Sequence, residues 1–462
     1  MPPAQLALAT LLQAYTQVSD DEVIEATTMD RRWQLVLDCL DCDTPPFSKG
    51  PLVVFRQRLI AQHLDRRLLE RTVEVAAASG ACGSCQVRAA LASSPLWGAG
   101  RVEDTYNLLG HALRKAVSVL ARQQGRGLRA VAEEAGAALV AGPSLKAALD
   151  LDWDDATAQP HALTMLLDAL NAVEHWLDTQ PVEEETTSRA MANLAVAQQV
   201  CAQDRTTTPE GTPTMRHGVA AERRMSVEDA EMRHGRQSRS LLVDGDKRHG
   251  WRDLDSRLIV AVGVTPANAP EANVTDAIAT ALAAQKCTLR ALPIDRASLA
   301  STLGQQRPDT LAIFCKAWPV QPGPLFPKTA CTLDWHQHVL QCPGGSTMPC
   351  EPGGMVKFPA ATCASCALRP RCPTSASGRS VSMHPDEAVL PEWRERQQTP
   401  QGRAKLRERV AVEHALAHLG YWQGRRARYR GVRKHVFALR RCAVMHNLHV
   451  LASLTERKQQ AA

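Results

Sequence analysis

The sequence has no apolar run long enough to cross a membrane, and its first residues lack the basic segment that opens a secretory signal. It also has little excess of charge, because 54 Lys and Arg residues face 48 Asp and Glu residues and leave a net charge of +6. These absences predict a cytosolic protein. Since the net charge is small, any binding of nucleic acid has to come from a local cluster of cations.

Cysteine, by contrast, is well represented, with 14 residues. Disulfides are rare in the cytosol, so these cysteines are expected to be free thiols or metal ligands. The 462 residues are enough for two or three domains with their own cores, and the 44% hydrophobic content is ordinary for a folded protein.

Two parts of the chain have the periodicity of helices. Residues 1–78 contain three amphipathic stretches, and Ser19 with Glu22 makes a capping box before the second of them. Residues 102–202 are again helical in pattern. Residues 203–222 are rich in Pro, Gly and Thr without periodicity, and they are predicted to form a linker.

Strand patterns begin at residues 86–92, before a predicted turn at 93–101, and resume after residue 240. Three strands, a helix and a strand ending in an acid follow the order of a ribonuclease H-like domain. We therefore expect an α+β multidomain fold, with an all-α N-terminal domain and an α/β ribonuclease H-like core. The expected boundaries are 1–78 for the N-terminal domain, 79–101, 223–304 and 403–462 for the core, 102–202 for a helical insertion, and 305–402 for a cysteine-containing insertion.

A predicted helix at 405–419 carries an acid among apolar residues. On a helical wheel its apolar side is formed by Leu406, Val410, Leu416 and Ala417. Glu413 falls in the middle of that side, where a carboxylate needs a compensating cation or a metal ion. Arg409 lies one turn earlier, so a salt bridge within the helix is one interpretation and a metal ligand is the other.

The segment after this helix is strongly basic. Its cations are Arg425, Arg426, Arg428, Arg430, Arg433 and Lys434, and we call them the basic run. Tyr421, Trp422 and Tyr429 lie among them. Guanidinium groups bind phosphates in a bidentate manner and aromatic rings stack on bases, so the run predicts contact with nucleic acid rather than a solvated face.

The C-terminal region resembles the signature of bacterial insertion-sequence transposases with a DDE catalytic triad. That signature is an Arg-x3-Glu helix, a basic R-x-R-Y-x-G run and a last helix containing Asn-Leu. The matching residues here are Arg409, Glu413, Arg426, Arg428, Tyr429, Gly431, Asn447 and Leu448. Many relatives carry a Lys or Arg seven residues after the Glu, where this chain has Gly420. Near the N-terminus, Ser19–Glu22, Asp30, Arg32, Trp33 and Phe55–Leu59 resemble the helical domain that binds terminal inverted repeats in the same family.

The resemblance implies phosphoryl transfer on DNA with Mg²⁺ or Mn²⁺ held by three carboxylates. Glu413 would be the third acid, oriented by Arg409, and Asp295 at the end of a strand would be the second. Relatives place the first acid at the end of the first strand, before a Ser-Ser-Pro-Leu turn. Ala92 occupies that position, and alanine cannot bind a metal ion.

Two aspartates are candidate substitutes for the missing acid, namely Asp229 and Asp104, and a cap or turn residue is the alternative for each. Asp229 lies in a match to the family motif D-P-E-M-R-H-G-R. Further departures from the family are Ala297 and Ser298 after the second acid, and Asp246 where relatives have Tyr. A polar second strand between two glycines is predicted to pair less firmly. An active enzyme and a decayed copy therefore both stay open.

A cysteine cluster lies between the second and third acids. Its spacing, Cys342 and then Cys363, Cys366 and Cys372, suits a tetrahedral zinc site, and four reduced thiols are the alternative. Cys331, Cys350, His336 and His338 are alternative ligands. The separate pair Cys82 and Cys85 has no second pair close by, so it indicates a metal or redox site only weakly.

The resemblance implies a transposase that cuts at the ends of its element and joins the freed 3′-hydroxyl to target DNA. Its partners would be the terminal inverted repeats and the target DNA, its active form a homodimer, and its location the nucleoid. Two alternatives remain open: an inactive descendant that still binds DNA, and a metal-dependent nuclease without strand transfer.

Overall fold

The structure is a computed structural model that describes residues 2–461, except residues 81–85, 156, 181–182, 210, 219, 221, 239, 301–302, 304–305, 307, 309, 318–322 and 374. The pair Cys82 and Cys85 lies outside the described residues. Helices and sheet are mixed, as expected for the α+β class. None of the described helices is long and apolar enough to span a membrane.

Five helices form the N-terminal part, namely α1 (Pro3–Thr16), α2 (Asp20–Met29), α3 (Arg31–Val36), α4 (Lys49–Ala61) and α5 (Asp65–Ala78). The predicted capping box at Ser19 and Glu22 is present. The second and third predicted helices are each broken in two. Asp30 ends α2 and caps α3, and His63 takes a positive φ of 55° between α4 and α5.

The main sheet contains β1 (Gln86–Trp97), β4 (Arg233–Arg236), β5 (Leu242–Asp253), β6 (Ile259–Pro266), β7 (Thr288–Pro293) and β8 (Ala312–Phe314). Its order is β4-β5-β1-β7-β8, and β6 also pairs with β5. β5 is antiparallel to β1, β4 and β6, whereas β1, β7 and β8 run parallel. The parallel strands end at the same edge of the sheet, where Asp295 follows β7.

Two sequence predictions about these strands are wrong. The predicted turn after residue 92 is strand up to Trp97, because residues 89–97 pair continuously with β5. β5 itself is firmly paired and mostly buried despite its polar sequence. Its polar side chains find partners: Arg248 Nε donates to Ser94 Oγ at 2.8 Å, and His249 Nε2 lies 2.8 Å from Thr265 Oγ1.

Between β1 and β4 lie the helices α6 (Thr105–Gln123), α7 (Leu128–Glu134), α8 (Leu145–Leu149), α9 (Ala158–Thr179) and α10 (Glu184–Asp204). They share an apolar core of their own that includes Leu113, Leu166 and Val173. The predicted linker after α10 contains a short hairpin, β2 (Arg205–Thr207) and β3 (Pro213–Met215).

The rest of the chain is helix α11 (Thr275–Ala284) before β7, short strands and a helix in the cysteine region, and four C-terminal helices. The cysteine region has β9 (Thr332–Asp334), β10 (Val339–Gln341), β11 (Thr347–Pro349), β12 (Met355–Lys357), α12 (Ala360–Ala364) and β13 (Ser380–Ser382). The last helices are α13 (Leu390–Gln398), α14 (Pro400–Arg407), α15 (Val410–Gln423) and α16 (Val432–Ala461).

Helix α16 joins the N-terminal helices to the sheet. Asn447 is fully buried, and its amide exchanges two hydrogen bonds with the backbone of Ile259 in β6. Arg433 and Arg440 both pair with the buried Asp65 of α5. Because removing one partner of a buried ion pair is strongly destabilising, these contacts fix the N-terminal helices against α16.

Candidate active site

Asp295 and Glu413 lie on either side of one guanidinium group. Arg409 Nη2 is 2.6 Å from Glu413 Oε1, and Arg409 Nη1 is 4.0 Å from Asp295 Oδ2. Both carboxylates are reachable from solvent, since their side chains are 38% and 48% exposed, respectively. Ser298 steadies Asp295, donating to Oδ1 from its backbone N–H at 3.2 Å and from its hydroxyl at 3.1 Å.

The predicted salt bridge between Arg409 and Glu413 is confirmed, but the predicted burial of Glu413 is wrong. The helix breaks at residues 408–409, and α15 begins at Val410. Its buried face is formed by Val412, Ala415, Leu416, Leu419 and Trp422. This apolar stripe turns Glu413 outwards, toward the end of β7.

Ala92 follows the stretch of β1 that pairs with β7. That parallel pairing ends with Arg88 beside Ala291, so Ala92 lies four residues further along β1 and Asp295 four residues further along the neighbouring chain. Ala92 is buried in the same apolar cluster as Val412 of α15. A carboxylate at position 92 would therefore lie beneath the helix that carries Glu413, on the strand next to the one that Asp295 follows.

Neither candidate substitute joins this pair. Asp104 caps α6, where its Oδ1 accepts from the Asn107 N–H at 2.9 Å. Asp229 is 2% exposed, and its Oδ2 accepts from the Gly431 N–H at 3.4 Å. Within the described part of the chain neither shares a contact with Asp295 or Glu413, so both have the cap and turn roles that were their alternative.

The residues present can supply two carboxylate ligands to a metal ion. Mg²⁺ is commonly held by one or two carboxylates together with water and substrate phosphates, and Asp295 with Glu413 fits that description. Among the described residues, no group of three or more His, Cys, Asp or Glu side chains is arranged to hold a metal ion. The donor set thus fits one ion rather than a two-ion site.

The four predicted zinc ligands line a single cavity. Cys342, Cys363, Cys366 and Cys372 all face it, and all four are free thiols. Gly344 makes room for them, since a Cβ there would lie 2.9 Å from Cys366 Sγ. Arg379 is buried beside them with Nη1 3.3 Å from Cys372 Sγ. The donor types suit zinc, although no three described ligands are close enough to form its coordination shell.

The alternative ligands differ from these four in their surroundings. Cys350 is buried, and burial raises the pKa of its thiol. Burial also raises the pKa of Cys331, partly offset by the nearby charge of Arg379. A raised thiol pKa disfavours the thiolate form that binds metal ions.

Four cations of the basic run are bound within the molecule. Arg426 Nε donates to Gly98 O at 2.9 Å, and Arg428 Nη2 donates to Gln17 O at 2.8 Å. Arg430 pairs with Glu228, and Arg433 with Asp65. Arg425 and Lys434 are exposed and have no side-chain partner among the described residues. These two are therefore the cations most open to a phosphate.

A stretch of acids, not anticipated in this role, holds the basic run in place. The Gly431 N–H donates to Asp229, and the Val432 N–H donates to Glu231 Oε2 at 2.5 Å. Together with Glu228, which pairs with Arg430 and Lys115, they form the acidic stretch 228–231. Carboxylates at the start of α16 are favourable for its dipole. The D-P-E-M-R-H-G-R match was the signal in the sequence, but it did not reveal which backbone groups these acids bind.

Beneath the same loop lies a buried ion pair. His435 Nδ1 is 2.9 Å from Asp246 Oδ2, and His435 Nε2 donates to Tyr429 O at 2.6 Å. Burial raises the pKa of Asp246. Burial by itself lowers the pKa of His435, but the pairing with Asp246 outweighs it and the pKa is raised. Asp246, a departure from the family's Tyr, thus has a partner of its own.

Gly420, which stands where the family pattern has a cation, lies beside a buried arginine. A Cβ at position 420 would lie 3.0 Å from Nη2 of Arg248, whose Nη1 donates to Gln423 Oε1 and Gly424 O. Burial lowers the pKa of this guanidinium from its usual value. Arg248 therefore places a positive charge on the inner side of α15 where many relatives have a Lys or Arg in the helix itself.

Comparison with known protein families gives one match. Residues 347–452 match the model of the transposase DDE domain. The match contains Glu413, the basic run and three of the four clustered cysteines, and it leaves Asp295 outside. No curated protein and no solved structure matches the chain. The match confirms the resemblance to DDE transposases that the sequence motifs indicated.

Proposed function

We propose, on the premise that residues 347–452 belong to the transposase DDE domain family, that the protein is the transposase of a bacterial insertion sequence. It would cut at the ends of its element and join the freed 3′-hydroxyl to target DNA. Terminal repeats and target DNA are its partners, and a homodimer in the nucleoid is its active form.

The strand order supports a ribonuclease H-like core. Three antiparallel strands, β6-β5-β1, continue into the parallel strands β7 and β8. The second acid follows β7, and the third lies on α15, which packs on β1 and β5. A catalytic centre on this sheet would therefore lie at the end of β7, beside the start of α15.

The roles of the side chains follow from their positions. Asp295 and Glu413 would hold one Mg²⁺ ion, which when bound would act as a Lewis acid on a phosphoryl oxygen. Arg409 orients both carboxylates and offsets their mutual repulsion while no metal ion is bound. Arg425 and Lys434 bind phosphates of the DNA backbone.

One observation carries the proposal: two acids far apart in the sequence, Asp295 and Glu413, meet at Arg409. The test uses the DNA that flanks the coding region, incubated with Mg²⁺ or Mn²⁺, a target plasmid and either purified wild-type protein or its Ala92→Asp variant. Joined element–target products support a transposase. Cleavage without joined products would indicate a nuclease instead.

A second candidate function has an observation of its own. Ala92, beneath α15 and on the strand next to β7, offers no carboxylate where the family motif has its first acid, which favours an inactive descendant that still binds DNA. Specific binding to the flanking DNA without any cleavage, in either metal ion, would select this candidate.

A further inference from the structure

An open pocket lies where the end of β1 meets the basic run. Trp97, Val102 and Met232 form its apolar walls, and Asp244, Arg425 and Arg426 form its polar edge. Its volume is about 430 Å³. That is within the roughly 300–1,000 Å³ of small-ligand pockets, so it suits a single small group rather than a duplex.

The pocket and the basic run form one hydrogen-bonded unit. The Trp97 N–H donates to Arg425 O at 3.0 Å, and the Ala427 N–H donates to Trp97 O at 2.7 Å. Arg426 ties the loop after β1 to the same unit through Gly98 O. Met232 packs directly against the backbone of Gly98, since a Cβ there would lie 2.4 Å from Met232 Sδ. A ligand in the pocket would thus be held in a fixed position relative to the basic run.

The lining points to one class of ligand. The half-buried indole ring of Trp97 offers an apolar surface on which a flat ring can stack. Arg425 is exposed on the rim with no partner among the described residues and offers a site for a phosphate. Asp244, which holds His234 at 2.6 Å, places a carboxylate acceptor on the same rim. A nucleotide has a flat ring, amino donors and a phosphate together.

We propose that this pocket binds one unpaired nucleotide of the DNA, with its base against Trp97 and its phosphate on Arg425. A paired base cannot enter, because its faces are covered by the neighbouring base pairs. The inference rests on the proposed DNA-binding function and adds to it a preference for DNA with an unpaired end.

The test measures binding of the full-length protein to a blunt duplex and to the same duplex with a short single-stranded 3′ tail. Fluorescence anisotropy at one salt concentration gives both affinities. Wild type is expected to bind the tailed duplex about tenfold more tightly, the effect of one stacked base. Val102, 47% exposed at the pocket, is the position to change. V102E should abolish the preference, because a carboxylate at the pocket repels the phosphate, and V102T should keep it.

A matched control is Met191→Glu on α10, which adds the same charge at a side chain of similar exposure, 46%. It should keep the preference for the tail. Equal binding of blunt and tailed DNA by wild type would overturn the pocket assignment and leave DNA binding intact. A full preference in V102E would also overturn it, and a change in oligomeric state in that variant would then mark a protein-docking surface. Failure to bind any DNA would instead overturn the proposed function.

Discussion

At the scale of single residues, the candidate site depends on Arg409. Its guanidinium lies between two carboxylates that would otherwise repel each other across the ends of β7 and α15. The pairs are partly exposed, so their contribution to stability is small, at most about 1 kcal/mol each. Their significance is therefore positional, since Arg409 keeps both acids facing the same space.

Ala92→Asp tests the missing first acid. Wild type should cleave DNA weakly or not at all, and the variant should cleave at least about tenfold faster because it completes the metal-binding set. The assay is nicking of labelled flanking DNA in Mg²⁺ and in Mn²⁺. Ala90→Asp, on the same buried face of β1, is the matched control and should bring no gain. Full activity in the unaltered chain, indifferent to A92D, would mean that β1 does not carry the first acid.

The ion pair of His435 and Asp246 makes stability depend on pH. The pKa of His435 is raised above its usual 6.5, so its contribution is complete below pH 6.5 and is lost as the pH rises through the folded-state pKa. The raised pKa of Asp246 adds a fall in stability that begins at lower pH, above the ordinary Asp value of 3.8. Thermal unfolding followed by circular dichroism should therefore show a midpoint that falls as the pH is raised from 6.5.

The double variant H435Q/D246N should flatten this slope, whereas His414→Gln, an exposed histidine on α15, should leave it unchanged. A midpoint that rises with pH in the wild type over this range would contradict the assignment of a charged His435.

At the scale of elements, the basic run has two kinds of cation. Arg425→Ala and Lys434→Ala should each lower the slope of log affinity against log salt by about one unit, because each removes one phosphate contact. Both should weaken binding to all DNA sequences alike. Arg426→Ala should chiefly lower thermal stability, since its guanidinium holds the carbonyls of Gly98 and Gly100. Anisotropy titrations at several salt concentrations measure the slope. An unchanged slope in R425A/K434A would show that these two residues do not contact DNA phosphates.

The cysteine-containing element should bind zinc. Freshly purified protein is expected to carry about one zinc per chain, and Cys363→Ser with Cys366→Ser should remove it. Cys39→Ser with Cys42→Ser, two free cysteines between α3 and α4, is the matched control and should retain the metal. Elemental analysis by mass spectrometry measures the zinc content per chain. Protein without zinc would show that the cavity is lined by four reduced thiols.

At the scale of the whole molecule, sequence patterns predicted the local features of the structure. The capping box at Ser19, the pairing of Arg409 with Glu413 and the strand before Asp295 depend on residues close together in the chain. The orientation of Glu413 was not predictable from the wheel, because a break at residues 408–409 resets the helix and a neighbouring apolar stripe packs on the sheet instead.

Contacts between residues far apart in the sequence account for the other differences between the sequence predictions and the structure. Glu228 and Asp65 bind arginines of the basic run from about 200 and 370 residues away in the sequence, and only tertiary packing brings them together. The polar strand β5 was expected to pair weakly, yet Arg248 finds Gln423 and Asp246 finds His435 in elements that follow much later. Departures from a family motif thus have compensating contacts that the motif alone does not reveal.

The central claim is that Glu413 and Asp295 form the catalytic pair, and Glu413→Gln tests it most directly. The variant keeps the size of the side chain and removes its charge, and Glu395→Gln, an exposed acid on α13, is the matched control. In the Ala92→Asp background, E413Q should abolish cleavage of the flanking DNA while DNA affinity stays within a few-fold, and E395Q should change neither. Cleavage by E413Q at an undiminished rate would contradict the account.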